Sequence, residues 1–155
     1  MTDLSDVVRP EAVQTGWNVA NKKILFQQIG QLAATQGIGD ARPVAERLAD
    51  RERLGSTGFG GGVAIPHAKL EGLTAPTGLF VRLAQPIEFQ AVDDLPVDLV
   101  FALLSPVDAG QEHLKALARI SRRLRDRPFV DKLRGAGSPD ALYALFTTPD
   151  PRRAA

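Results

Sequence analysis

The chain contains no cysteine. That excludes disulfides, thiolate catalysis and cysteine-based zinc or iron–sulfur sites. It holds only two histidines, His67 and His113. They are too far apart for an HxH or HxxxH ligand pair, so a metal-dependent hydrolase is a poor reading and neither a metal nor another cofactor is expected. Net charge is +1, too little for a nucleic-acid binder driven by phosphate contacts. Aromatic residues make up 6% of the chain, and the single Trp17 and Tyr143 carry no functional pattern. Long apolar runs are missing too. The strongest, "VDLVFALLSPV", is broken by Asp98 and Pro106 and falls far short of the roughly 20 residues a membrane helix needs. The N-terminal "MTDLSDVVRPEAV" lacks the apolar centre of a signal peptide. The expectation is a cytoplasmic protein with no membrane insertion.

What is present suits one soluble α/β domain of 155 residues, 44% apolar and 24% charged. Leu4 to Trp17 has no clear period and reads as irregular, with room for a short strand. Asn21 is a good N-cap for a helix through "KKILFQQIGQLAATQ", with Ile24, Leu25, Ile29, Leu32 and Ala33 on its apolar face and Gly37 as its stop. Asp40 can cap a second helix, "ARPVAERLADRE", that turns Val44, Ala45 and Leu48 inward. "GLFVRL" alternates and reads as a strand, and "VDLVFALL" as a strand buried on both faces. Asp108 is the expected cap of a long helix whose inward stripe is Leu114, Leu117, Ala118, Ser121 and Leu124. A helix from Pro128 follows, then one with Ser138 as N-cap and Pro139 at its first position. "PDPRRAA" reads as a frayed tail. Helices, then strands, then helices predict a mixed β-sheet flanked by helices on both faces, not a βαβ alternation.

The informative stretch is "GFGGGVAIPHAK". It fails as a P-loop, because no glycine precedes Lys-Ser or Lys-Thr. It fails as a dinucleotide fingerprint, because Val63 stands where the third glycine belongs and a helix precedes it. Gly58, Gly60, Gly61 and Gly62 permit close approach of backbone amides to an oxyanion. Pro66 stiffens the exit from the strand, so His67 stands on a rigid base. A neutral imidazole can attack phosphorus and hold the group as a phosphoramidate. His113 lies early on the long helix, just after the buried strand, where it can face His67. Arg51 and Arg53 end the second helix. An arginine there would offset the charge of a phosphoryl group in transfer. "RISRRLRDR" (119–127) reads as a solvated helix face, the alternative being a basic docking face for an acidic partner.

"RERLGSTGFGGGVAIPHAKLEGL", "PIEFQAVDDLPVDLVFALLSP" and "HLKALARISRRL" together resemble the phosphotransferase-system IIA domains of the fructose/mannitol class, nearest their nitrogen-regulatory branch. The resemblance runs from Leu4 to Thr148. It implies a single type-2 IIA domain over residues 1–150, with 151–155 a disordered tail. It also implies that His67 accepts the phosphoryl group, with Arg51 and His113 beside it. The phosphate-binding set is then Ser56, Thr57, Gly58, Gly60, Gly61 and Gly62. The implied donor is the phosphohistidine of a small carrier, HPr or NPr, charged by enzyme I. The implied targets are regulated proteins such as kinases or potassium transporters. With nothing following the last helix but the short tail, a stand-alone regulator is expected; the alternative is a sugar-transport component passing phosphate to a IIB domain. Two residues depart from the pattern. Phe59 stands where smaller residues are common, and is a candidate docking contact. Ala68 stands where glycine is frequent.

Overall fold

In the computed structural model, which describes residues 4–148, the chain runs β1 (Val8–Trp17), α1 (Lys22–Thr35), α2 (Ala41–Arg53), β2 (Gly58–Gly60), β3 (Val63–Ala64), β4 (His67–Leu70), β5 (Thr77–Ile87), β6 (Val97–Pro106), α3 (Gln111–Leu124), α4 (Arg127–Gly135) and α5 (Pro139–Thr147). The tail expected at 151–155 lies outside the described residues.

The six strands form one mixed sheet in the order β1-β5-β6-β3-β2, with β4 also paired to β6. The apolar run of β6 is its centre. Along β6, Val100, Ala102 and Leu104 face a core shared with α1 and α2. Leu99, Phe101 and Leu103 face a second core shared with α3, α4 and α5. Both faces of the strand are dry, which is why the run shows no alternation. The expected helix–sheet–helix sandwich is therefore the observed architecture. α1 and α2 pack closely: a methyl on Gly30 would stand 2.3 Å from the Ala41 carbonyl oxygen, so only glycine fits.

Three local expectations are corrected. The segment before Trp17 is not irregular. It forms a ten-residue edge strand, parallel to β5, with register shifts after Val8 and Thr15. Those shifts erase the period of two, and Pro10 is tolerated because an edge strand has an unpaired side. The long helix starts at Gln111 with Gly110 in the cap position, rather than from Asp108. Its inward stripe is also rotated: His113, Ala116, Ile120, Arg123 and Leu124 are buried, while Leu114 is 63% exposed. The polar residues turn inward because partners wait there. Arg123 donates to the carbonyls of Leu145 and Thr148 at the end of α5, and lies 4.0 Å over the Phe129 ring. Its neighbour Arg119 pairs with Asp6. The basic run is thus partly structural and not only a solvated face.

Arg82 of β5 plays a matching part at the end of α4. Its Nη1 donates to the carbonyls of Leu133 (2.8 Å) and Ala136 (2.6 Å), where a cation also meets the negative end of the helix. Arg82→Met keeps the aliphatic stem and removes the cap. It is expected to cost about 1.5–3 kcal/mol, read as a lower urea midpoint at unchanged slope. An unchanged midpoint would show the cap to be without weight.

Candidate active site

Four segments line β6, and three of them meet toward its carboxyl end. The first is the end of α2. There Glu52, only 8% exposed, accepts from the Thr57 amide (3.1 Å), the Thr57 hydroxyl (2.6 Å) and the Lys22 ammonium (2.9 Å). A buried carboxylate needs this many donors to remain charged. The bonds fold residues 54–57 back onto the helix and bring the adjoining Arg51 to the site. Arg51 donates to the Gly55 carbonyl at 3.0 Å. Arg53 instead pairs with Asp50 on the helix surface.

The second segment is the glycine stretch. It forms a tight antiparallel hairpin, β2 to β3, turning through Gly61 and Gly62 at φ +68° and +82°. Two consecutive left-handed residues are what such a turn demands. The hairpin does not form an amide cradle around His67. Val63 pairs with Leu99 and His67 with Leu103, four residues further along β6, or roughly 13 Å at strand spacing. The Gly61 amide is bound to the Asp93 carboxylate, and the Gly61 carbonyl to Arg134. Gly60 lies on that same side, with its α-carbon facing Asp93. Nearer the centre, the Gly58 amide bonds the Ser56 hydroxyl, and the Thr57 amide and hydroxyl are both committed to Glu52. Of the expected phosphate-binding set, Ser56, Thr57, Gly58 and Gly61 thus hold hydrogen bonds within the protein, and Gly60, Gly61 and Gly62 lie toward the other end of β6 from His67. Phe59 is half-buried and covered by the Arg125 guanidinium at 4.6 Å, not a bare docking residue.

The third segment presents His67. Pro66 has no N–H to give, so the ladder with β6 lapses between β3 and β4, and the Leu103 amide donates to the Pro66 carbonyl at 2.9 Å. Ala68 and Leu70 face the α1–α2 core, so His67 and Lys69 face the opposite side, toward α3. The His67 Nδ1 lies 2.8 Å from the Ile65 carbonyl oxygen. A carbonyl only accepts, so Nδ1 carries the proton and Nε2 keeps its lone pair free.

The fourth segment is α3. Its His113 ring stands 5.6 Å from that of His67, centroid to centroid, tilted by 47°. His113 Nδ1 lies 2.7 Å from the hydroxyl of Ser105, which is fully buried on β6. His67, His113 and Arg51 are thus brought together, as expected from the sequence. Ser105 and Glu52 were not foreseen. Ser105 ends an apolar run and Glu52 stands between two arginines, and neither setting carries a local signal of burial. Among the described residues, no group of three or more acidic or histidine side chains is arranged to hold a metal ion.

Burial holds the pKa of both rings below the ordinary 6.5. For His67, the Ile65 carbonyl and Glu52 pull the other way, while Arg51 adds to the lowering. For His113, the charges of His67 and Lys69 add to the effect of burial. Both imidazoles are therefore neutral at pH 7. A folded-state pKa below the unfolded one gives stability that is complete above pH 6.5 and lost as pH falls through the folded values. The expected result is two histidine titrations with midpoints below 6.5 by NMR, and an unfolding midpoint that drops on acidification from pH 7. A midpoint at or above 6.5 for either ring would contradict this account of the site.

Residues 6–148 match the family model described as phosphoenolpyruvate-dependent sugar phosphotransferase system, EIIA 2. The chain is similar to the nitrogen regulatory protein of Bradyrhizobium diazoefficiens, 47% identical over 146 residues, covering 94% of this chain and 95% of that protein. It is 42% identical to the nitrogen regulatory protein of Escherichia coli over 152 residues, covering 95% and 93%. Its fold resembles the crystal structure of nitrogen regulatory protein IIA-Ntr from Neisseria meningitidis, with a TM-score of 0.85, 34% identity, and coverage of 92% and 97%.

Proposed function

The chain belongs to the EIIA 2 family of the phosphoenolpyruvate-dependent sugar phosphotransferase system, and from that membership we propose a nitrogen-regulatory IIA protein that carries its phosphoryl group on His67. Family membership makes it a phosphotransferase-type protein. The observation that carries the finer reading is the bond from His67 Nδ1 to the Ile65 carbonyl. It leaves a neutral Nε2 lone pair at the surface of a site with a second imidazole and a guanidinium beside it.

In the proposed step, Nε2 attacks the phosphorus of a carrier phosphohistidine. A new N–P bond forms as the carrier's P–N bond breaks, and the carrier ring, protonated on its other nitrogen, leaves as neutral imidazole with the electron pair. His67 Nδ1 keeps its proton, hydrogen-bonded to the Ile65 carbonyl, so this ring neither gains nor loses a proton. Arg51 offsets the charge in transit, and His113 orients the phosphoryl oxygens. The carrier is HPr or NPr, and the exposed Leu54, Val107 and Leu114 offer it apolar contacts close to Arg51 and His113. The group adds a charge of about −1.5 to −2, enough to change which partners bind that face. The resemblance to nitrogen regulatory proteins supports regulated targets over sugar delivery to a IIB domain.

The test is incubation with enzyme I, the carrier and phosphoenolpyruvate, followed by mapping of the modified atom. One acid-labile phosphoryl group on Nε2 of His67 is expected. Label on another residue, or none, overturns the reading.

A further inference from the structure

We propose that Ser105 is a positioning residue that fixes the proton of His113 on Nε2, turning that ring into a hydrogen-bond donor toward the phosphoryl group. The inference rests on the function proposed above. It begins with an oddity of β6. Between Leu99 and Pro106 every side chain is apolar except Ser105, which is fully buried. Leu99, Phe101, Leu103 and Ser105 share the face toward α3, and Lys69 stands opposite Ser105 two residues beyond His67. A hydroxyl there must find a partner.

Among the described residues its one side-chain partner is His113 Nδ1, at 2.7 Å. The ring nitrogen and the hydroxyl can each donate or accept, so two arrangements are conceivable. If Nδ1 carried the proton, the serine oxygen would accept it, and the serine proton would point into a dry core with nothing to receive it. If the hydroxyl donates, Nδ1 accepts through its lone pair and every group is satisfied. Neutral imidazole has one N–H, which must then be on Nε2. Burial first, with Lys69 nearby, disfavours a charged ring, so the choice between nitrogens is real.

The consequence is a division of labour between two rings 5.6 Å apart. His67 Nδ1–H donates to the Ile65 carbonyl, which leaves Nε2 as the nucleophile. The Ser105 hydroxyl donates a hydrogen bond to Nδ1 of His113, which leaves Nε2–H as the donor. A His113 with the opposite tautomer would turn a lone pair toward anionic oxygens and repel them. No proton needs to be transferred for Ser105 to act. Its hydroxyl proton remains its own throughout.

The experiment is long-range nitrogen–proton NMR of the two imidazoles in the unphosphorylated, unaltered protein at pH 7.5, run beside transfer assays on Ser105 variants. His113 is expected to show Nε2–H with bare Nδ1, and His67 the reverse. Ser105→Ala should shift His113 toward the Nδ1–H form and slow transfer by about tenfold. Ser105→Thr, which keeps the hydroxyl, should restore both the tautomer and most of the rate. A His113 protonated on Nδ1 in the unaltered protein overturns the proposal. So does a Ser105→Ala protein, folded by circular dichroism, with the original rate. If the unaltered protein accepts no phosphoryl group at all, the proposed function fails while the tautomer measurement still decides the assignment of the proton.

Discussion

His67→Ala protein is expected to take up no phosphoryl group from enzyme I, its carrier and phosphoenolpyruvate, at any carrier concentration. The loss is total because the substitution removes the atom that forms the bond, unlike a change that merely weakens a contact. No other side chain at the site can substitute. His113 Nδ1 is occupied by Ser105, and Lys69 and Arg51 are cations without a lone pair at neutral pH. The fold should survive, since His67 is only half-buried and its ring bonds one local carbonyl. His113→Ala makes the informative contrast. It keeps the acceptor, so labelling should reach full stoichiometry, slowed by about 10²-fold through loss of an oriented donor. Full labelling of His67→Ala would place the acceptor elsewhere. An unaltered rate in His113→Ala would leave that ring without a role in transfer.

Glu52→Ala should give the largest loss of stability, about 2–4 kcal/mol by denaturant unfolding. The carboxylate is the common acceptor for the Thr57 amide, the Thr57 hydroxyl and Lys22, and truncation leaves all three without it. The Lys22 ammonium also lies 4.4 Å over the Phe89 ring and is partly exposed, which places the figure below that of a fully buried ion pair. Transfer should slow as well, because residues 54–57 would no longer be folded back beside Arg51. Glu52→Gln separates shape from charge. It retains an acceptor for Thr57, so stability falls less. It removes the negative charge that favours protonated His67, so that ring should titrate at still lower pH. A Glu52→Ala midpoint within about 0.5 kcal/mol of the original protein would show the network to be incidental.

Most helices were legible in the sequence because their signals are local. Asn21 and Ser138 cap α1 and α5 through the bonds their side chains were expected to make, to the amides of Ile24 and Ala141. The buried strand was legible because an unbroken apolar run of that length has few other fates. Pro66 before His67 was readable for the same reason, since the missing N–H acts wherever the proline is. Other features were decided only by residues distant in the chain. β1 lost its period through register shifts set by its pairing with β5. The face that α3 turns inward was chosen by Ser105, Phe129 and the carbonyls ending α5, which draw His113 and Arg123 inside and leave Leu114 outside. Asp93, Asp98 and Arg134 hold the glycine hairpin at the far end of β6 from His67. The amino-acid order by itself determined which side chains can react with phosphorus. The proton of His67 is placed by a chain neighbour, the Ile65 carbonyl two residues back, whereas only tertiary packing sets the α3 ring of His113 against Ser105 on β6, because that partner lies on another element.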